Sequence, residues 1–158
     1  MNKEQLKRTL EQHKIFVDSD WKKGKRANLK YDNLKGANLE GANLTGAILE
    51  RTILEGANLE GANLRGAYMG HANLEGVNLK DAFLKDAFLG GANLQGANLE
   101  GASLYHANLH GVHLVCAKFS IEFRDCFIFP HAFVSKEQLP WLSLHPRVAE
   151  FMPTLQIK

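Results

Sequence analysis

The side chains of this sequence with the most chemistry to offer lie between positions 106 and 116. His106, His110 and His113 precede Cys116, and imidazole nitrogens and a thiolate are ligands that zinc prefers. These residues belong, however, to a segment whose pattern repeats every five positions, and that pattern turns the three histidines towards different sides of the molecule. We therefore predict no metal site and no cofactor, and interpret the histidines as substitutions on the surface.

Two carboxylates, Asp81 and Asp86, are also five residues apart, and paired carboxylates can serve as the acid and base of a glycosidase. Such a pair needs a substrate groove between its members, whereas the five-residue pattern leaves no insertion to build a cleft. The sequence contains no phosphate-binding glycine loop, no nucleophile elbow and no zincin motif. The prediction is a protein that is not an enzyme.

Length and composition narrow the class of protein further. The 158 residues include 19 basic and 17 acidic side chains and are 45% hydrophobic, which fits one folded domain better than a dedicated nucleic-acid binder or a disordered chain. With only two cysteines, Cys116 and Cys126, we expect buried or half-buried thiols, no disulfide and a reducing, cytoplasmic location. The first 25 residues have no continuous apolar segment, which predicts neither a signal peptide nor a membrane span.

The pattern behind these exclusions is a repeat of five residues with a large apolar side chain at its centre, position i. This position recurs without interruption from Leu29 to Phe119, which makes 19 units, and seventeen of them carry leucine. Position i−2 is alanine in fifteen units, while asparagine at i−1 and glycine at i+2 each occur in eleven. Residues i−2 and i lie on the same side of an extended backbone, and glycine permits a sharp bend. Each unit therefore predicts a short edge with Ala and Leu inside, followed by a corner.

The number of edges in one circuit follows from residues that depart from the pattern. Ile48, Tyr68 and Phe88 replace asparagine at the outward position i−1 and are spaced by 20, a spacing that Gly70 and Gly90 share. Twenty residues make four units, so one circuit has four sides. At the usual distance between strands, the 19 units give about 4.75 coils and a rod of roughly 23 Å.

Runs such as EGANLEGANLRGA and GGANLQGANLEGA carry the signature A-(D/N)-L-x-x, and residues 27–121 resemble the pentapeptide-repeat proteins. The resemblance implies an all-β solenoid, a right-handed quadrilateral parallel β-helix of about 4.75 coils, but no single activity. Some members of that family are thought to protect DNA gyrase by imitating duplex DNA. The repeat here carries seven basic and nine acidic side chains, a poor imitation of the charge density of DNA. We therefore keep a DNA-mimicking inhibitor of gyrase or another topoisomerase only as the alternative function, which this charge pattern disfavours.

Residues 1–26 are predicted to form an N-terminal helical cap. Asn2 and Gln5 have the spacing of a capping box, and an apolar stripe predicts an amphipathic helix over residues 3–16 that folds over the first coil. Trp21 is assigned to the same plug. The basic run Lys22–Arg26 is interpreted as a solvated entry loop, with a contact to an anion or a nucleic acid as the alternative.

Residues 122–158 leave the five-residue register and are predicted to form a C-terminal cap, helical or irregular. The segment is rich in apolar side chains, and the candidates for cap or dimer contacts are Trp141, Leu142, Leu144, Val148, Phe151 and Met152. In some relatives this end forms the homodimer contact, and the apolar tail here looks similar. Capping alone and capping with dimerisation both stay open.

Outward apolar side chains are the main functional signal of the repeat. Ile48, Tyr68 and Phe88 are predicted to form a ladder on one face, with Ile53 and Phe83 on the two neighbouring faces. The ladder either stabilises the wall by stacking, lies under a terminal segment, or forms a surface for a partner or a second copy. The resulting hypothesis is a non-catalytic scaffold that binds an unknown protein partner or itself, with neither a membrane contact nor a nucleic acid expected.

Overall fold

The computed structural model describes residues 1–119 and two short strands beyond them. Its elements are one helix and four strands of two residues each: α1 (Lys3–Asp18), β1 (Asn98–Leu99), β2 (Lys118–Phe119), β3 (Phe133–Val134) and β4 (Gln156–Ile157). Strands β1 and β2 pair in parallel, and so do β3 and β4. Elsewhere the repeat contributes parallel bridges of single residues instead of longer strands.

All parallel bridges of the repeat join residues that are twenty apart. The series begins with Asn28 and Ile48 and ends with the pairing of β1 and β2. Twenty residues are four units of five, so one circuit of the chain has four short edges, as the spacing of the aromatic residues predicts. Backbone N–H groups donate to carbonyls of the neighbouring circuit, for example from Leu64 to Phe83 at 2.8 Å. Each circuit therefore stabilises the next one.

Position i fills the axis of the coil. From Leu29 to Leu114 every residue at this position is buried, with at most 5% of its surface exposed, and Met69 replaces leucine without leaving the axis. The alanines at i−2 line the same interior. Where Thr52 replaces alanine, its hydroxyl donates to the Leu29 carbonyl at 2.7 Å, so the buried polar group is satisfied. Each buried leucine contributes about 1.5–3 kcal/mol.

Position i+2 forms the corner, and its backbone is left-handed in every unit whose corner lies within the described residues. All eighteen corner residues from Tyr31 to Cys116 have φ between 55° and 69°, a conformation that glycine adopts freely and that costs other residues about 1–2 kcal/mol. Every corner residue other than glycine is exposed, because its side chain points away from the axis. The expectation of a buried or half-buried thiol is therefore wrong for Cys116, which is exposed. Cys126 lies outside the described residues.

Position i−1 shows why asparagine is frequent in the repeat. The Oδ1 atom of each of the eleven asparagines there accepts a hydrogen bond from the backbone N–H two residues on, at 3.0–3.2 Å. On one face, Asn58 and Asn78 also link circuits, because each Nδ2 donates to the asparagine of the preceding circuit. A residue at i−1 without an acceptor oxygen at that place gives up a hydrogen bond worth about 0.5–1.5 kcal/mol.

Helix α1 begins with the predicted capping box. The side chains of Asn2 and Gln5 each accept a hydrogen bond from the other residue's backbone N–H, at 2.8 and 3.0 Å. The helix continues two residues beyond the predicted range, to Asp18. Leu6 and Leu10 pack against the core of the coil, so the apolar stripe of the helix faces the repeat.

His13 is the buried polar contact between α1 and the coil. Its Nδ1 accepts from the Ala27 backbone N–H at 3.1 Å, so the proton of the neutral ring is on Nε2. This atom is buried and has no hydrogen-bond partner among the described residues. Burial lowers the pKa of His13. The Thr45 backbone raises this pKa and the Arg26 guanidinium lowers it, both by smaller amounts. The ring is therefore neutral at pH 7.

Trp21 lies outside the plug to which the sequence assigns it. Its side chain is 63% exposed and stacks on Phe16, with ring centroids 5.9 Å apart. The reason is the turn that follows α1: Asp20 and Trp21 both have positive φ, and the Trp21 N–H donates to the Phe16 carbonyl at 2.7 Å. This turn directs the indole to the outside of the helix, so the assignment of Trp21 to the plug is wrong.

Within the described part of the chain, no helix is long and apolar enough to cross a lipid bilayer. The boundary predicted between residues 121 and 122 lies outside that part. So do the side chains predicted for cap or dimer contacts, which are Trp141, Leu142, Leu144, Val148, Phe151 and Met152.

Candidate interaction face

The aromatic ladder is the surface feature on which the site is built. Ile48, Tyr68 and Phe88 occupy successive circuits and pair through parallel bridges. The Tyr68 and Phe88 rings stack with their centroids 4.9 Å apart and their planes inclined by 13°. Tyr68 is 38% and Phe88 47% exposed, whereas Ile48 is half-buried. Each ring therefore covers one face of the other, and both rings stay partly exposed to solvent.

Arg26 continues this stack on its N-terminal side. Its guanidinium lies 4.8 Å from the centre of the Tyr68 ring, and its Nε donates to the Gly46 carbonyl at 2.6 Å. Phe88 reaches the same ring from the following circuit, on the C-terminal side. Both faces of the Tyr68 ring are thus covered, one by a cation and one by a second ring.

The end of helix α1 turns the ladder into one wall of a groove. Phe16 and Trp21 from the helix end and Tyr68 and Phe88 from the ladder line one cavity of about 320 Å³, which we name the aromatic groove. Its other lining residues are Arg26, Thr45, Gly46, Arg65, Gly66 and Asp86. The N-terminal segment therefore borders the ladder and leaves it exposed.

Three of the five predicted face residues, Ile48, Ile53 and Phe83, do not line the aromatic groove. Bridges place Ile53 on the face that follows the ladder and Phe83 on the face that precedes it. Both side chains are exposed, at 37% and 53%, and single exposed apolar residues are common on protein surfaces. The structure thus joins Ile48, Tyr68 and Phe88 and separates Ile53 and Phe83 from them, as the register predicts.

Charged side chains at i+2 and at the adjacent position i+1 are sorted between the corners of the rod, because residues twenty apart stack. The corner that borders the aromatic groove, here the basic corner, carries four cations and one carboxylate: Lys25, Arg26, Arg65, Lys85 and Asp86. The corner one face away, here the acidic corner, carries four carboxylates and one cation: Glu40, Glu60, Asp81, Glu100 and Lys80. The aromatic ladder therefore lies beside positive charge and away from the main row of negative charge.

A known family accounts for the repeat. The family model described as "Pentapeptide repeats (8 copies)" matches residues 25–61, 57–96 and 84–120. This chain belongs to the pentapeptide repeat family. Members of that family form right-handed quadrilateral β-helices, and the twenty-residue circuit of this pentapeptide repeat protein agrees with that fold.

Solved structures of other family members are similar to this pentapeptide repeat protein. One from Nostoc PCC 7120 is 28% identical, with a TM-score of 0.56 over 95% of this chain and 93% of that one. One from the Arabidopsis thaliana thylakoid lumen is 25% identical, with a TM-score of 0.58 over 75% of each chain. Rfr23 from the cyanobacterium Cyanothece 51142 is 39% identical, with a TM-score of 0.50 over 63% of this chain and 65% of that one, just under two thirds of its length. No curated protein matches the chain.

The fold separates the residues of this pentapeptide repeat protein that are suited to metal binding or acid–base chemistry. His106 and His110 lie at two successive corners, and His113 lies on the face beyond them. Among residues 1–119 and the two short strands, no three His, Cys, Asp or Glu side chains are grouped to hold a metal ion. Asp81 lies at the acidic corner, whereas Asp86 lies at the basic corner, with Oδ1 3.5 Å from His106 Nδ1.

The repeat pattern alone does not identify Phe16, Trp21, Arg26 and Arg65 as parts of one site. Arg65 carries a signal that could have been found, since it precedes Lys85 by twenty residues and so lies in the same corner row. Phe16 and Trp21 precede the repeat. Their place beside the ladder depends on how α1 docks, which no spacing in the sequence records.

Proposed function

We propose that this pentapeptide repeat protein is a non-catalytic scaffold that binds a protein partner through the aromatic groove. The observation that carries the proposal is the exposed stack of Tyr68 and Phe88, which lines one cavity with Trp21 and Arg26. Trp, Tyr and Arg are the residue types that most often dominate the binding energy of protein interfaces. Pentapeptide repeat proteins are in general structural or interaction proteins without enzymatic activity.

The ladder gives up hydrogen bonds that the units with asparagine at i−1 keep. Neither Tyr68 nor Phe88 has the amide oxygen with which asparagine accepts the N–H two residues on, as Asn63 does at 3.2 Å. The residues two positions on are Gly70 and Gly90, which place no side chain beside the rings. Aromatic stacking returns about 0.5–1.5 kcal/mol per pair, so the wall gains little. A partner that covers the rings explains the exposed aromatic surface better than the stability of the coil does.

The walls of the coil also favour binding over catalysis. Every unit between residues 27 and 119 has five residues, so no insertion within the repeat rises from the walls to enclose a substrate. A flat wall that borders the aromatic groove is suited to contact with another macromolecule.

Replacing Tyr68 and Phe88 together by asparagine tests the proposal. Asparagine is the residue that the repeat uses most often at i−1, so the double variant should keep the fold and lose the aromatic wall of the groove. In a pull-down from an extract of the cells that make the chain, the partner retained by wild type should fall about tenfold or more. Circular dichroism checks that the fold is unchanged.

Phe83→Asn is the matched control for this experiment. It makes the same change at an exposed phenylalanine on the neighbouring face and should retain the partner. Equal retention by the double variant and by Phe83→Asn would contradict the proposal. Inhibition of gyrase supercoiling by the purified chain would instead support the alternative of a DNA-mimicking inhibitor, which the four cations of the basic corner do not favour.

We further propose that the flanking segments close the ends of the rod. Helix α1 brings Leu6, Leu10 and His13 to the first circuit, and residues 122–158 are assigned to the other end, with self-association through their apolar side chains. Light scattering of the chain with and without residues 134–158 tests this. A dimer that becomes a monomer on truncation supports self-association, whereas a monomer in both cases contradicts it. A cytoplasmic location stays a prediction from the low cysteine count.

A further inference from the structure

Building on the proposed function, we propose that the aromatic groove receives a short linear segment of the partner in which an apolar side chain is flanked by carboxylates. The apolar side chain packs against Tyr68, Phe88 and Trp21, and the carboxylates meet Arg26 and Arg65, which line the same groove. The chemistry recognised is that of an acidic peptide with an aromatic or aliphatic anchor.

The arrangement of the rings favours a peptide over a nucleic acid. Proteins that bind single strands offer open ring faces on which bases stack. The Tyr68 ring has the Arg26 guanidinium at 4.8 Å on one side and the Phe88 ring at 4.9 Å on the other, so neither face is free for a base. Ring edges accept apolar side chains and aromatic rings in edge-to-face contacts. The exposed edge of Tyr68 therefore suits an amino-acid side chain.

The cations at the groove are not neutralised by carboxylates of the described residues. Neither Arg26 nor Arg65 forms an ion pair in that part of the chain. Asp86, the carboxylate among the lining residues, lies 3.5 Å from His106. A guanidinium binds a carboxylate through two parallel hydrogen bonds. The groove therefore combines apolar surface with positive charge that a negatively charged segment complements.

The size of the groove fits a segment better than the surface of a folded domain. Its volume of about 320 Å³ lies at the lower end of the range for ligand pockets. Gly46 and Gly66 lie between the ladder and the helix end and bring no side chain into the space. An extended segment can follow this strip and insert an apolar side chain, whereas a rigid surface would contact only the rim.

A displayed library of random linear peptides, selected on the immobilised full chain, tests this inference. Peptides that bind wild type but not the Tyr68→Asn, Phe88→Asn variant should be enriched in Asp and Glu next to Leu, Phe, Tyr or Trp. Their affinity should weaken as salt is raised, because salt screens exposed charges. Arg65→Gln should weaken it about tenfold, since Arg65 is a charged contact inside the groove.

Lys35→Gln is the matched control, because it removes a cation from the corner diagonally across the rod, where Lys35 pairs with Glu55. It should leave the affinity unchanged. A library that yields no peptide dependent on Tyr68 and Phe88 overturns the inference, and so do selected peptides that are neutral or basic. Peptides that Arg65→Gln does not weaken, or an oligothymidine that binds only when the ladder is intact, also overturn it. If the pull-down still depends on the ladder in any of these cases, the proposed function stands without this inference.

Discussion

Replacing Leu64 by aspartate is expected to abolish cooperative folding of the coil. Leu64 is fully buried at position i, well inside the repeat, and its N–H donates to the Phe83 carbonyl of the next circuit at 2.8 Å. The substitution removes about 1.5–3 kcal/mol of apolar burial and places an unpaired carboxylate on the axis, which costs several kcal/mol more. Together these losses are comparable to the whole free energy of unfolding of a small domain, about 5–15 kcal/mol.

Urea unfolding followed by circular dichroism measures the effect, and Asn63→Asp is its matched control. Asn63 is the adjacent residue but points outward, and its Oδ1 accepts the Arg65 N–H at 3.2 Å, a bond that aspartate keeps. This variant should change the free energy of unfolding by less than about 1 kcal/mol. A Leu64→Asp chain that unfolds cooperatively with nearly wild-type stability would show that position i does not face the axis.

Acidification is expected to loosen the contact between α1 and the coil through His13. The neutral ring accepts the Ala27 N–H at Nδ1, and protonation would place a hydrogen against that donor and a charge in a buried site. Burial lowers the pKa of His13 in the folded chain, so the unfolded chain binds the proton first as the pH falls. The stability that the neutral His13 ring contributes is fully present above about pH 6.5. It is lost below that pH, until the folded pKa is reached, by up to about 1.4 kcal/mol per pH unit.

His13→Asn isolates this contribution, because the Oδ1 of asparagine takes the place of Nδ1, can accept the Ala27 N–H and does not titrate. The free energy of unfolding of both chains is measured from about pH 8 to about pH 5. The difference between the two free energies of unfolding should be constant at the upper end of this pH range. Below about pH 6.5, wild type should lose stability relative to the variant. A wild-type chain that gains stability over the variant on acidification would contradict a buried neutral ring.

The neighbours within the repeat could be predicted from the sequence because every unit has the same length. Counting by twenty places Ile48, Tyr68 and Phe88 in one ladder, and the bridges show that placement. The same counting assigns Ile53 and Phe83 to other faces. Axis, corners and faces are all fixed by local backbone geometry that repeats, so a single period determines them.

The contacts between the repeat and its flanking segments could not be predicted by counting residues. The apolar stripe of α1 predicts that the helix packs on the coil, but not which side of the ladder Phe16 and Trp21 approach. The sequence assigns Trp21 to the plug of the N-terminal cap, whereas the left-handed turn after α1 directs it outward. For Cys116, the tendency of cysteine to be buried is overridden by its corner position. Composition predicts burial only where the backbone points the side chain inward.

The location of a bound partner on the coil is the most direct test of the aromatic groove as a binding site. In a nuclear magnetic resonance titration, the isotope-labelled chain is mixed with the partner isolated by pull-down. The titration measures the change in chemical shift at each backbone amide. Gly46 and Gly66 line the groove, and Gly41 and Gly61 are their counterparts at the acidic corner. We predict shifts at Gly46, Gly66 and the Trp21 indole, with Gly41 and Gly61 unchanged. Shifts at Gly41 and Gly61 that spare the groove would contradict it.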